Sequence, residues 1–315
     1  MNYSVIIPVF NEEENIIKLY DRLVLVFSQL SENFELIFIN DGSKDKTMNL
    51  VKVLAERDSK VRFINLSRNF GHQIAVCAGL DVCLGKRVVI IDADLQDPPE
   101  LVLEMDQKMN EGFHVVFARR KKRKGESLAK LLTARLFYRL LARIASVEIP
   151  LDTGDFRIMD RKVVDVLKSM PEQNKFLRGQ ISWIGFKQTF VEYDRSERQG
   201  GKTGYTYGKM FRFALDGITS FSDAPLRIAS LMGFLVSGVA FIALIYALWG
   251  KYILHDSEPG WASIIVSILF LGGIQLISLG FIGEYLSRIS SNVKKRPLYI
   301  VDETNTKVPR EDSLS

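Results

Sequence analysis

Short apolar runs rich in β-branched residues alternate with longer stretches whose apolar positions recur every three or four residues. The runs at 3–8, 34–40, 61–66, 88–91 and 114–118 read as strands, with VVII at 88–91 as a buried parallel one. Between the first two, 12–30 sets Ile16, Leu19, Leu23, Val26 and Phe27 on one helical face, with Asn11 positioned as its cap. Helices are also predicted over 45–56, 71–84 and 100–111. This alternation predicts an α/β fold with a mostly parallel, doubly wound sheet. Further on, 176–186 is mixed and aromatic, and 188–193 reads as a strand. Two apolar runs, 228–249 and 262–282, carry no charged residue, and each matches the ~20 residues that cross a bilayer core. The tail beyond Asp302 is polar and expected to be loose.

The ends of the strands carry the chemistry. Asp92 and Asp94 follow VVII at strand spacing, where i and i+2 point the same way. Gln96 adds an oxygen one step on, and Pro98 and Pro99 stop the strand. Oxygen donors at a strand end suit Mg²⁺ or Mn²⁺, which keep water as their remaining ligands. Open α/β sheets bind ligands there. The plain alternative is a solvated acidic loop. Pro8, Phe10 and Glu12 follow the first strand without a G-x-G-x-x-G, which disfavours a dinucleotide fold. Asp41 ends the second strand before Gly42. Alone it reads as a turn residue, but with Glu12 and Asp92 at one sheet edge it makes a nucleotide pocket. Arg119, just past the last strand, is an assisting cation. Asp155 reads either as a helix-start signal or as a carboxylate on the acceptor side. His72 has no partner at metal spacing and reads as an ordinary polar residue.

Charge and composition narrow the setting. The formal net charge of +5 admits nucleic acid, an anionic membrane or an anionic substrate as partner. The basic run 119–124 lacks the interleaved aromatics of a nucleic-acid site, so no nucleic-acid partner is expected. The helix it leads into, near 128–145, sets Leu and Ile residues on one face and Lys130, Arg135, Arg139 and Arg143 off it. It reads as lying in an anionic membrane interface, or else as packed on the sheet. The loop 195–205, with three glycines, Arg198 and Lys202, reads as a phosphate lid or a surface turn. Cationic flanks on the outer ends of the two apolar runs put both termini and the catalytic part in the cytoplasm. The expected division is 1–226 as the cytosolic domain, 227–288 as a two-helix membrane domain and 289–315 as a cytosolic tail. Cys77 and Cys83 read as buried thiols of a reducing compartment. There is no Cys/His cluster for zinc and no signal-peptide pattern at the start.

Taken together, VIIPVFNEEE, FINDGSKD, SRNFGH, DADLQDPPE, GDFRIMDR, GITSFSDAPLR and SILFLGGIQLISLGFIGEYLSRI resemble the polyisoprenyl-phosphate glycosyltransferases of inverting family 2. The likeness is greatest to the bactoprenol glucosyltransferase branch, with dolichyl-phosphate mannose synthases more distant, and spans roughly 3–300. It implies a GT-A, Rossmann-like domain with a second interfacial helix near 205–221, and a tetramer in the bacterial inner membrane. It also implies a nucleotide-sugar donor (UDP-glucose by branch), an undecaprenyl phosphate acceptor and a β-linked product for envelope glycans such as lipopolysaccharide. Carried onto this chain, Pro8, Phe10, Glu12 and Asp41 hold the nucleoside, and Asp92 and Ala93 also touch the donor. Asp94 and Gln96, with Asp92, hold the metal. Arg119 and Arg198 bind phosphates, and Asp155 is the family's proposed base, named with Asp94 as catalytic. Gly204 stands where relatives carry a lysine, and Lys202 is the nearby replacement.

A single in-line displacement follows, with a lipid phosphate already largely dianionic at neutral pH and in little need of a base. The same reaction with UDP-GlcNAc or GDP-mannose, and a non-catalytic nucleotide-sugar-binding protein, are the alternatives. The QxxRW pattern of processive synthases is missing; Gln180-Ile181-Ser182-Trp183 is its nearest approach.

Overall fold

The computed structural model of the chain describes residues 1–121, 153–194, 224–249 and 260–308. In order these form β1 (Tyr3–Val9), α1 (Ile16–Leu30), β2 (Phe34–Asn40), α2 (Thr47–Arg57), β3 (Val61–Leu66), α3 (His72–Val82), β4 (Arg87–Ile90), α4 (Leu101–Asn110) and β5 (Val115–Arg120). Then come β6 (Thr153–Asp160), α5 (Arg161–Ser169), α6 (Leu177–Ile184), β7 (Gln188–Tyr193), α7 (Ala224–Trp249), α8 (Trp261–Lys294) and β8 (Val301–Thr304). They fall into two compact units, one holding the sheet and its helices together with β8, the other holding α7 and α8.

The eight strands lie in the order β7-β5-β6-β4-β1-β2-β3-β8. β3, β2, β1 and β4 run parallel, as their apolar sequences predict. Their side chains alternate between two cores: Val5, Ile7, Leu36 and Phe38 meet α1, α2 and α4 on one face, and Ile6, Ile37 and Ile39 meet α3 on the other. Gly79 lets α3 approach closely, because a Cβ there would lie 2.5 Å from Ile6 Cγ2 and 2.9 Å from Ile39 Cδ1. From β3 the chain crosses over β2 and β1 to reach β4, so strand order reverses beside β1. That reversal opens a crevice at the carboxyl ends of β1 and β4.

The sheet is mostly parallel, as expected, with β5 and β7 paired parallel at one end and two strands running the other way. β6 runs antiparallel between β4 and β5, and β8 runs antiparallel on β3. Thr153–Asp160 is therefore a strand, not the helix start its Gly-Asp pair allowed; α5 begins only at Arg161. As far as it is described, to Val308, the tail is not loose. β8 covers the otherwise open edge of β3, Asn305 accepts from the Phe63 N–H, and Asp302 accepts from Asn65. Asn11 caps nothing: its φ is 55°, its Oδ1 accepts from the Lys44 N–H, and α1 starts four residues after Glu12.

In the second unit, α7 covers the first apolar run and contacts α8. Among the described residues one stretch, Phe270–Lys294, is long and apolar enough to cross a membrane by length and composition, and Leu226–Val236 is a shorter apolar segment. The qualifying stretch begins later than the 262–282 run read from the sequence. Both interfacial helices, Arg198, Lys202 and Gly204 lie outside the described residues.

Candidate active site

At the crevice between β1 and β4 lies a cleft of about 240 Å³, lined by Pro8, Val9, Phe10, Glu12, Asp41, Asn69, Gly71, His72, Asp92, Ala93 and Asp94. That is a little below the ~300–1,000 Å³ of ligand pockets.

Its floor and rim are built by strand-end loops that hold one another. Asp41 takes the N–H groups of Phe70 and Gly71 at 2.7 and 3.0 Å, one on each carboxylate oxygen. It thus fixes the turn after β3 that starts α3 at His72. Burial raises its pKa, and those two N–H groups oppose the rise. Asn11 and Glu12 donate their backbone N–H groups to Ser43 Oγ and Thr47 Oγ1, lacing the loop after β1 to the loop after β2.

Asp92 and Asp94 share the cleft, but not by strand alternation. β4 ends at Ile90, and the chain turns through Asp94 and Leu95, whose φ is 57°. The Gln96 N–H donates to Asp94 Oδ1 at 3.2 Å, closing that turn. The Gln96 side chain is buried and does not line the cleft. Asp92 Oδ1 is buried without a hydrogen-bond partner, 3.5 Å from His72 Nε2. Burial, opposed by His72 but reinforced by the charges of Asp155, Asp97 and Asp94, pushes Asp92 up to about 6.

Among the described residues no group of three or more His, Cys, Asp or Glu forms a ready metal cage. The two carboxylates, one with an unpaired buried oxygen, fit a cation of the Mg²⁺ kind. Such an ion binds through one or two carboxylates and completes its shell with water and substrate phosphates.

His72 is no ordinary polar residue. It heads α3, and its Nε2 reaches Asp155 Oδ2 at 3.2 Å as well as Asp92. Burial disfavours the imidazolium, but the bond to Asp155 and the charges of Asp92 and Asp155 lift its pKa above the usual value. Asp155, on β6, also takes Arg178 Nε at 2.9 Å and an Arg157 terminal nitrogen at 3.3 Å on Oδ1. Burial works against its ionisation, yet His72, Arg178 and Arg157 hold its carboxyl well below the usual range. The buried Arg157 is lowered to about 10 by burial, with Asp155 opposing.

Arg119 lies inside β5 rather than beyond it. Its guanidinium pairs with Glu192 and stacks 3.4 Å from the Phe190 ring centroid, both on β7, and it does not line the cleft. The next residue along the strand points to the other face. Arg120 donates to Tyr193 Oη at 3.1 Å and lies 3.7 Å from the buried Asp97, itself bonded to Tyr193. Pro8, Phe10, Glu12, Asp41, Asp92, Ala93 and Asp94 are thus brought together as the strand-end reading expects. Arg119 and Gln96 are not, and His72, Arg157 and Arg178 join. Only the motifs SRNFGH and GDFRIMDR mark His72 and Arg157, and nothing local marks Arg178.

Residues 4–167 match the family described as glycosyl transferase family 2. The chain is 49% identical to the uncharacterized glycosyltransferase YkcC of Bacillus subtilis, over 100% of this chain and 99% of that one. It is 43% identical to a prophage bactoprenol glucosyl transferase homolog of Escherichia coli K12, over 96% and 98%. It is 41% identical to the bactoprenol glucosyl transferase of Shigella phage SfII, over 97% and 99%. Among solved structures, glucosyl-3-phosphoglycerate synthase from Mycobacterium tuberculosis in complex with phosphoglyceric acid aligns with a TM-score of 0.45 at 21% identity. That alignment covers 69% of this chain and 78% of the synthase.

Proposed function

Because the chain belongs to glycosyl transferase family 2, and within it to the bactoprenol glucosyl transferase branch, we infer that it moves glucose from UDP-glucose to undecaprenyl phosphate. The observation that carries this reading is the cleft itself, where Phe10, Glu12, Asp41, Asp92 and Asp94 converge at the strand-order reversal. Phe10, Glu12 and the Asp41 loop face the nucleoside. Asp92 and Asp94 would hold a divalent cation, with Gln96 bracing their turn. When bound, Mg²⁺ or Mn²⁺ neutralises charge that builds on the departing diphosphate. Arg198 and Lys202 supply phosphate contacts.

The lipid phosphate attacks the anomeric carbon from the face opposite the leaving group. One C–O bond forms as the bond to the diphosphate breaks, giving a β-linked lipid phosphosugar. The lipid sets the location. α7 and α8 span the bacterial inner membrane, the sheet unit and both termini lie in the cytoplasm, the basic helix near 128–145 meets anionic headgroups, and the enzyme works as a homotetramer.

The test is a radiolabelled donor panel of UDP-glucose, UDP-GlcNAc and GDP-mannose, offered with undecaprenyl phosphate and with Mg²⁺ or Mn²⁺. UDP-glucose should give a lipid-soluble product. Asp94→Asn should lower that transfer by at least 100-fold while leaving the thermal unfolding midpoint within about 2 °C, which is at most ~1 kcal/mol at the ~2–4 °C per kcal/mol of a domain this size. Wild-type turnover in purified Asp94→Asn would refute the metal role, and transfer from another donor alone would move the sugar assignment.

A further inference from the structure

We propose that His72 and Arg178, each held by one oxygen of Asp155, form the seat of the acceptor's phosphate monoester, and that Asp155 is the counter-ion positioning them rather than a proton acceptor. This rests on the reading above, that the acceptor is a polyprenyl phosphate.

The geometry of Asp155 carries the inference. A base needs a lone pair aimed at the group it deprotonates. Here Oδ1 faces Arg178 Nε and an Arg157 terminal nitrogen, and Oδ2 faces His72 Nε2, all within 3.3 Å. Three donors converge on one carboxylate from two helices and its own strand. Arg157 is buried deeper and spends its donors on the carbonyls of Gly154 and Asp155, so it braces the carboxylate from behind.

The placement suits the reaction. His72 lines the cleft and sits 3.5 Å from Asp92, whereas Asp155 and Arg178 stand behind it, off the cleft wall. The carboxylate pair Asp92 and Asp94 takes the cationic end of the donor complex. His72 then links that pair to Asp155 and, through it, to Arg178. A guanidinium carries five N–H donors in a planar fork that matches phosphate oxygens, and its Nε contact with Asp155 fixes the plane of that fork. The step needs no proton removed. A phosphate dianion oxygen forms the new C–O bond, the bond to the nucleoside diphosphate breaks with its electron pair, and the product phosphodiester is a monoanion.

The experiment uses the full-length protein in mixed micelles and measures KM separately for UDP-glucose and for undecaprenyl phosphate. Arg178→Gln and His72→Gln should each raise the acceptor KM at least tenfold and leave the donor KM within twofold. Arg178→Lys should recover part of the loss; it and His72→Gln carry the test should Arg178→Gln not fold. Without donor, geranyl phosphate and inorganic phosphate should raise the unfolding midpoint of the wild type and do so less in the variants. A donor KM that rises while the acceptor KM stays put would overturn the proposal, and so would a fall in kcat with both KM values unchanged. If wild type transfers nothing to undecaprenyl phosphate, the acceptor assignment fails. Phosphate-dependent stabilisation that is lost in Arg178→Gln still supports the anion seat, and its presence in both proteins ends it.

Discussion

Replacing Asp155 by Asn keeps the side chain's shape and removes the charge on which His72, Arg157 and Arg178 converge. Arg157 is the most exposed to that loss in energy, because its side chain is only 5% accessible to solvent. Taking one partner from a buried ion pair costs roughly 3–5 kcal/mol, most of it the penalty of the charge left behind. In a domain of this size 1 kcal/mol moves the unfolding midpoint by roughly 2–4 °C, so Asp155→Asn should melt roughly 6–20 °C below wild type at pH 7.5. Circular dichroism in a single detergent measures it. The pH dependence has a definite sign. A carboxyl held below its ordinary value contributes its full stability above the unfolded-state pKa of about 3.9, and loses it as pH falls from there toward the folded value. The carboxyl's own share of the gap between wild type and Asp155→Asn should therefore stay constant above about 4 and shrink below it, whereas the share that His72 gains from Asp155 should be complete below about 6.5 and fall as pH rises through the raised His72 value. By the same depression, Asp155 should give no limb to the pH–rate profile at neutral pH. An Asn variant that melts with the wild type yet transfers no sugar would refute this, since it would make the carboxylate a chemical participant and not an anchor.

Two further expectations follow from the same cleft and the helix behind it. Gly42 has φ +72°, and a Cβ there would lie 2.6 Å from Asn69 N and 2.7 Å from the Arg68 carbonyl carbon, both backbone. Gly42→Ala should cost about 1–3 kcal/mol and raise the donor KM, because the displaced turn is the one that Asp41 ties and that presents His72; an unchanged donor KM would separate that turn from nucleoside binding. Cys77 and Cys83 are both buried on or beside α3, and burial pushes the Cys77 thiol up to about 12. Ellman's reagent at pH 8 should label neither until denaturant is added, and rapid labelling of the native protein would contradict the packing of α3.

The parallel strands were legible because their apolar runs are buried on both faces and need no partner information to be recognised. The strand-end residues were legible for a related reason: topology alone delivers Glu12, Asp41 and Asp92 to one edge. β6 was not, since TGDFRIMD alternates only over Asp155–Ile158, and its neighbours β4 and β5 lie in other parts of the chain. Arg119 was misplaced by a strand that runs two residues longer than its apolar core, so alternation sent Arg119 to one face and Arg120 to the other. His72 and Arg178 are 106 positions apart, and no spacing rule links them; only folding brings both to Asp155.

The pairing of Ile64 with Thr304 joins positions 240 apart in the chain. On a ribosome, β3 emerges early and waits with a bare edge while everything between is made, both long helices included. Closing so wide a loop is thermodynamically cheap, since each doubling of length adds only ~0.6 kcal/mol. The delay is the real burden, because an unpaired edge invites other strands to add to it. A stretch translated only after both long helices is thus the piece that shields the nascent sheet. A single nick in the connection leading to α7 would leave the remainder clasped to the sheet by hydrogen bonds rather than set free.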